Sequence, residues 1–111
     1  MSHPTRRLDA TIHQPVRLGI LTVARETKRV DFVTLREMLG VTDGNLSRHL
    51  ATLEEAGYVT IEKEFENRKP RTWIAITRAG RKALSAEIAA LRDIVAAADG
   101  GPAPAARPAT G

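Results

Sequence analysis

Apolar positions recur along the chain at two alternating periods, and the points where the period changes predict the elements. Val16, Ile20, Val23 and Ala24 recur at helical spacing, with Leu18 and Leu21 widening the stripe. Pro15 suits the first turn of that helix, which should end near Lys28-Arg29. Before it, residues 1–7 read as a flexible arm and Leu8 to His13 as a short helical turn. Val30-Asp31-Phe32 is long enough only for a strand stub. A second helix is expected from Thr34 to Leu39, with Gly40 ending it in a left-handed conformation. Thr42 reads as the N-cap of a third helix over residues 43–56, with Asp43 in its first turn and Leu46, Leu50 and Leu53 facing inward. Gly57 closes it.

The period then shifts to two. Tyr58 to about Phe65 reads as one strand and Thr72 to Ile76 as its return, joined by a polar loop over residues 66–71. Thr77 caps a last helix from Arg78 to about Ala98. Along it Leu84, Ile88, Leu91 and Val95 step by four, three and four, an a/d seam. Residues 99–111 are rich in Gly, Pro and Ala and bury too little apolar surface to offset the entropy of ordering, so they read as a disordered tail. Two short helices joined by a Gly-containing turn, then a hairpin and a long helix, make a winged helix-turn-helix. The expected fold class is α+β, mostly helical, with a C-terminal dimerisation helix, and residues 8–98 form its single domain.

Composition narrows the chemistry. The 111 residues hold 17 Lys+Arg against 13 Asp+Glu, few aromatics and no cysteine. The core must therefore be small and aliphatic, and disulfides, thiolate catalysis and thiolate metal sensing are excluded. No apolar run approaches the ~20 residues of a membrane span, and no signal-type stretch follows the N-terminus. A soluble cytoplasmic protein that does not bind membranes is the expectation. His3, His13 and His49 lack ligand spacing, and Ser47 and His49, two residues apart on a helix, face differently. Neither an enzyme nor a cofactor is expected. His13 reads as a structural hydrogen-bonding residue, and His49 as either a packing residue or a phosphate contact.

Charge is uneven: six bases and no acid lie between Arg68 and Lys82. With Leu46 set inward, Arg48 lies about 200° around the third helix, flanked by Gly44, Asn45, Ala51 and Thr52. Small and polar residues let a helix approach a DNA groove, and arginine and asparagine can pair with base edges. The candidate DNA-binding residues are Thr42, Gly44, Asn45, Ser47, Arg48 and Thr52 on this helix, with Arg68, Lys69 and Arg71 on the hairpin. Asp43 is assigned to capping, and Glu62, Glu64 and Glu66 to a strand face turned from DNA. Trp73 reads as a core or interface residue. The candidate dimer interface is Leu8, Ile12, Leu84, Ile88, Leu91 and Val95, with help from Val16.

Several stretches carry a family likeness: Ile12 to Leu21, Thr42 to Leu50, Leu53 to Val59, Pro70 to Trp73 and Ile76 to Arg81. Together they resemble small winged-helix transcriptional regulators related to the MarR and ArsR groups. The resemblance covers residues 8–97. It implies a dimeric repressor or activator acting on double-stranded DNA, taken here as a repressor, with the third helix in the major groove and the hairpin as a wing. A two-fold dimer then implies a palindromic site. Two other readings stay open: a winged helix that docks proteins, and a regulator answering to a ligand.

Overall fold

The computed structural model describes residues 3–100, and of the tail expected over 99–111 residues 101–111 lie outside them. The element order is α1 (Pro15–Glu26), β1 (Val30–Asp31), α2 (Phe32–Leu39), α3 (Asp43–Glu55), β2 (Val59–Glu66), β3 (Lys69–Ile76) and α4 (Arg78–Ala98). The three strands form one antiparallel sheet in the order β1-β3-β2. This is the mostly helical winged-helix fold that the patterning predicts.

Local chemistry explains the boundaries. The Gln14 side chain accepts from the Arg17 amide ahead of Pro15, which starts α1. That helix stops at Glu26, short of the expected Lys28-Arg29, and Arg29 is thereby freed to reach the sheet. α2 begins two residues earlier than expected because Asp31, not a later residue, caps it. Its carboxylate accepts from the Thr34 amide and, at 2.6 Å, from the Thr34 hydroxyl. That hydroxyl contact, foremost, holds the Asp31 carboxyl below its usual range. Gly40, at φ +66°, closes α2 as expected. Thr42 caps α3 by accepting from the Asn45 amide at 3.1 Å.

The core is aliphatic. Ile20, Leu21 and Ala24 of α1, Leu35 of α2, Leu46, Leu50 and Leu53 of α3, and Ile74 of β3 are buried together. Ile12 and Leu84 belong to the same cluster and are wholly buried within the protomer. Both were expected at the dimer interface. Their own domain already covers them, because an apolar seam does not specify which neighbour it meets.

The N-terminal segment also differs from expectation. Pro4–Arg7 forms a 3-10 turn capped by the His3 ring, and Arg7 pairs with Asp93 of α4 at 2.8 Å. Beneath the following residues lies Glu87 of α4, whose side chain has no exposed surface. The Asp9 amide donates to its Oε1 at 2.9 Å, and His13 Nδ1 donates to its Oε2 at 3.0 Å. Asp9 in turn accepts from the Thr11 amide and the Tyr58 hydroxyl. Burial, helped by Asp9, pushes the Tyr58 phenol up.

α4 is seated on the domain through its first turn. Thr77 donates its hydroxyl to the Gly57 carbonyl and its amide to the Tyr58 carbonyl. A Cβ on Gly80 would lie 2.2 Å from that Tyr58 oxygen, so only glycine fits. Beyond Ala90 the helix runs on past the core. Of the expected seam, Ile88 and Leu91 are half-buried and Val95 is 58% exposed. No helix of the described residues is long and apolar enough to cross a membrane.

Candidate nucleic-acid interface

α3 turns Leu46, Leu50 and Leu53 into the core, which fixes what its other side presents. Gly44, Ser47, Arg48 and Ala51 are exposed, while Asn45 and Thr52 are half-buried at the flanks. Arg48 makes no ion pair or side-chain hydrogen bond among the described residues, so its guanidinium is available. Thr52 donates its hydroxyl to the Arg48 carbonyl, whereas the Thr42 oxygen accepts the cap bond and keeps its O–H to donate. The Asn45 Oδ1 is buried without a partner. Asp43 is neutralised by Arg36 of α2 at 2.7 Å, a contact that raises the arginine's pKa further. The carboxylate nearest the helix N-terminus is thus paired with a cation, which weakens its repulsion of a phosphate.

His49 faces the inner flank of α3. Arg17 of α1 donates to its Nδ1 at 2.9 Å, so that nitrogen must be an acceptor and the ring neutral. Burial first, then Arg17 and Arg48, lower its pKa. Arg17 also donates to the carbonyls of Thr11 and Ala10, tying α3 to the segment above Glu87. Of the two roles open for His49, this is the packing one.

The wing differs from the expected loop. β2 and β3 stay paired out to Glu66 and Lys69, and the turn is only Asn67-Arg68. Both have positive φ, 52° and 67°, as a two-residue hairpin turn requires. Asparagine tolerates that region, which the expected six-residue loop did not use. Pro70 lies within β3, opposite Phe65 and beyond the reach of β1, where no outer strand asks for its missing N–H.

The turn carries Arg68 and Lys69 at the tip, both exposed and without ion-pair partners among the described residues. Arg71 is not free in the same way. Its Nη1 lies 3.2 Å from Glu66, and its guanidinium carbon is 5.4 Å from the Trp73 ring centroid. The alternation of the sheet puts Glu62, Glu64, Glu66, Lys69, Arg71 and Trp73 on one face, as expected for the glutamates. The remaining bases of the run, Arg78, Arg81 and Lys82, lie in the first turns of α4.

The structure thus brings the α3 residues onto one face and Arg68 and Lys69 to the wing tip. Three contributors escaped the sequence reading. Glu87 looks like one more surface charge on α4, Arg29 like a helix-terminal base, and Gly80 like any glycine of a capped turn. The partners of Glu87 and Arg29 lie 35 to 78 residues away, and Gly80 meets the Tyr58 carbonyl at another element boundary.

A family model described as a winged helix DNA-binding domain matches residues 16–95. A protein of Methanocaldococcus jannaschii, itself uncharacterized, is 41% identical over 68 residues, spanning 61% of this chain and 74% of its own. Among solved structures, a transcriptional regulator homologue from Pyrococcus horikoshii OT3 superposes with a TM-score of 0.81 at 28% identity. That match covers 89% of this chain and 99% of the other. The transcriptional regulator MOSR of M. tuberculosis, solved in complex with DNA, shares the fold at TM-score 0.67 and 22% identity, covering 86% and 68% of the two chains. Regulators of the MarR family share it too. A model that matches most of the chain is decisive: the chain belongs to the winged helix DNA-binding domain family.

Proposed function

We propose that this chain is a sequence-specific repressor that binds duplex DNA as a homodimer, with residues 8–98 as the working unit. The observation that carries this is the pairing of an unengaged Arg48, on a small-residue helix face, with two unengaged cations at the wing tip. Arg48 reads guanine from the major groove, and Gly44, Ser47 and Ala51 let the backbone come close. The α3 N-terminus and Thr42 receive a phosphate. Arg68 and Lys69 follow the backbone or enter the minor groove, and Arg71 serves in support.

The exposed end of α4 supplies the second protomer's seat. Ile88, Leu91, Val95 and Ala96 line an apolar groove of about 340 Å³, continued by the half-buried Leu8. A two-fold pair of such helices gives a palindromic operator with half-sites about one helical turn apart.

Fluorescence anisotropy tests this with DNA from upstream of the protein's own gene and a scrambled duplex, each at about 50 and 200 mM salt. Preference for the upstream DNA that survives the higher salt is the expected result. Equal binding that salt erases would sink the specific reading, and no binding would favour a protein-docking role. In the same assay Arg48→Ala should cost about 1–3 kcal/mol on the operator and relax its specificity. Loss of equal size on both duplexes would remove Arg48 from base readout. Sedimentation of Leu91→Glu, expected monomeric, checks the dimer.

A further inference from the structure

β1 pairs with β3 only at residues 73 and 74, so the outer half of the wing extends past the three-stranded part of the sheet. From there to the tip it is a two-stranded ribbon, a form that is marginal by itself and free to twist. Among the described residues, one side chain from outside the hairpin makes ion pairs to it. Arg29, in the segment between α1 and β1, lies with its guanidinium carbon 3.9 Å from the Trp73 ring centroid. From that position Nη1 is 2.9 Å from Glu64 and Nη2 is 4.0 Å from Glu66. Among the described residues, no other side chain outside the hairpin makes a hydrogen bond or ion pair to residues 63–72. Glu66 immediately precedes the Asn67-Arg68 turn and stands opposite Lys69. A planar guanidinium can stack on an indole and bind two carboxylates at once, which an ammonium group cannot.

We propose that Arg29 is the positioning residue of the wing: stacked on Trp73 and bound to Glu64 and Glu66, it sets the angle at which Arg68 and Lys69 meet DNA. The inference rests on the DNA-binding reading for its effect on affinity, but the brace itself does not need DNA. Arg29 touches no nucleotide in this scheme. It acts through the hairpin, converting two surface glutamates into the handle by which the domain holds its wing. The arrangement also explains why an acidic strand sits inside a DNA-binding hairpin: Glu64 and Glu66 are the points of attachment.

Two measurements test this. The first uses the free protein. Trp73 is the only tryptophan, so Arg29→Ala should shift its emission to the red, and amide order parameters at residues 66–69 should fall from rigid values toward about 0.6. A wing that stays rigid in the variant overturns the brace. The second is a double-mutant cycle in DNA binding. Arg29→Ala alone should weaken binding about tenfold and flatten the salt slope by roughly one unit. In an Arg68→Ala/Lys69→Ala background it should change affinity less than twofold. A full second tenfold loss there overturns the proposal, because Arg29 would then act on DNA directly or through the fold. If Arg29→Ala does not fold, Arg29→Lys serves in both measurements; it keeps the charge and loses the planar stack, and only a loosened wing agrees with the brace. A loosened wing together with a wild-type protein that binds no DNA upholds the brace and overturns the DNA-binding reading alone.

Discussion

Glu87 and Glu64 each meet a basic partner at close to 3 Å, yet they sit in opposite surroundings. Glu87 lies wholly inside, under residues 9–13, where its oxygens accept from the Asp9 amide and from the His13 ring, whose own side chain is 49% exposed. Glu64 lies on the open face of the sheet, with both it and Arg29 42% exposed. In the interior a lost partner leaves a buried group unsatisfied, at a cost of several kcal/mol. In water the same pair contributes ~0–1 kcal/mol. The difference separates two jobs: the interior cluster fastens the N-terminal segment to α4, and the surface cluster fixes a direction for the wing while adding little to stability.

The comparison breaks most visibly at the interior end. Glu87→Ala should lower the unfolding free energy by about 3 kcal/mol in urea titration. Glu87→Gln, which keeps an acceptor for the Asp9 amide, should lose less. A loss for Glu87→Ala no larger than that of a surface substitution would erase the contrast. Next comes Gly80→Ala, which drives a methyl into the Tyr58 carbonyl and should cost about 2 kcal/mol. Its thermal midpoint measures that, and an unshifted midpoint would show that α4 can slide aside. Arg29→Ala, at the surface end, should change urea stability by less than about 1 kcal/mol while the wing loosens. A large stability loss would move Arg29 to the interior class.

The smallest effect is the pH dependence of His49, which lies between the two extremes. Its pKa is lowered in the fold, so the unfolded chain takes up the proton first. Its contribution is therefore complete above the unfolded value of about 6.5 and is lost as pH falls from there through the lowered folded value. His49→Gln should flatten that part of a stability-versus-pH curve. A curve unchanged by the substitution would show that protonation of His49 does not matter to the fold.

What was legible in the sequence was local. Thr42, Thr77 and Gly40 act on amides and carbonyls a few residues away, so their caps could be read directly. The faces of α3 followed from three leucines. Asp31 is hard to read as a cap because it lies inside an apolar strand stub; it serves both elements. The wing tip is narrower than the polar run over 66–71 suggests, because a proline on the open edge of β3 costs no ladder bond. Ile12 and Leu84 carried the right hydrophobicity and the wrong neighbour. Glu87 could not be found at all by periodicity. Its meaning depends on Asp9 and His13, brought over it by the fold.

Gly80 has a mechanical consequence. Where α4 meets the Tyr58 carbonyl, just before β2, no side chain stands between the two backbones, so Gly80 is the first support of a beam that is bedded further along through Leu84, Glu87 and Ala90. About 27 Å of helix extends from that point to Ala98 at 1.5 Å per residue. A tilt of the whole seated helix by about 5° would carry Ala98 through roughly 2 Å, about half a turn of helical rise. Small changes at the seat are thus magnified at the far end of the beam. In a two-fold pair joined at those far ends, the span between the two α3 helices would follow the height of one missing methyl group.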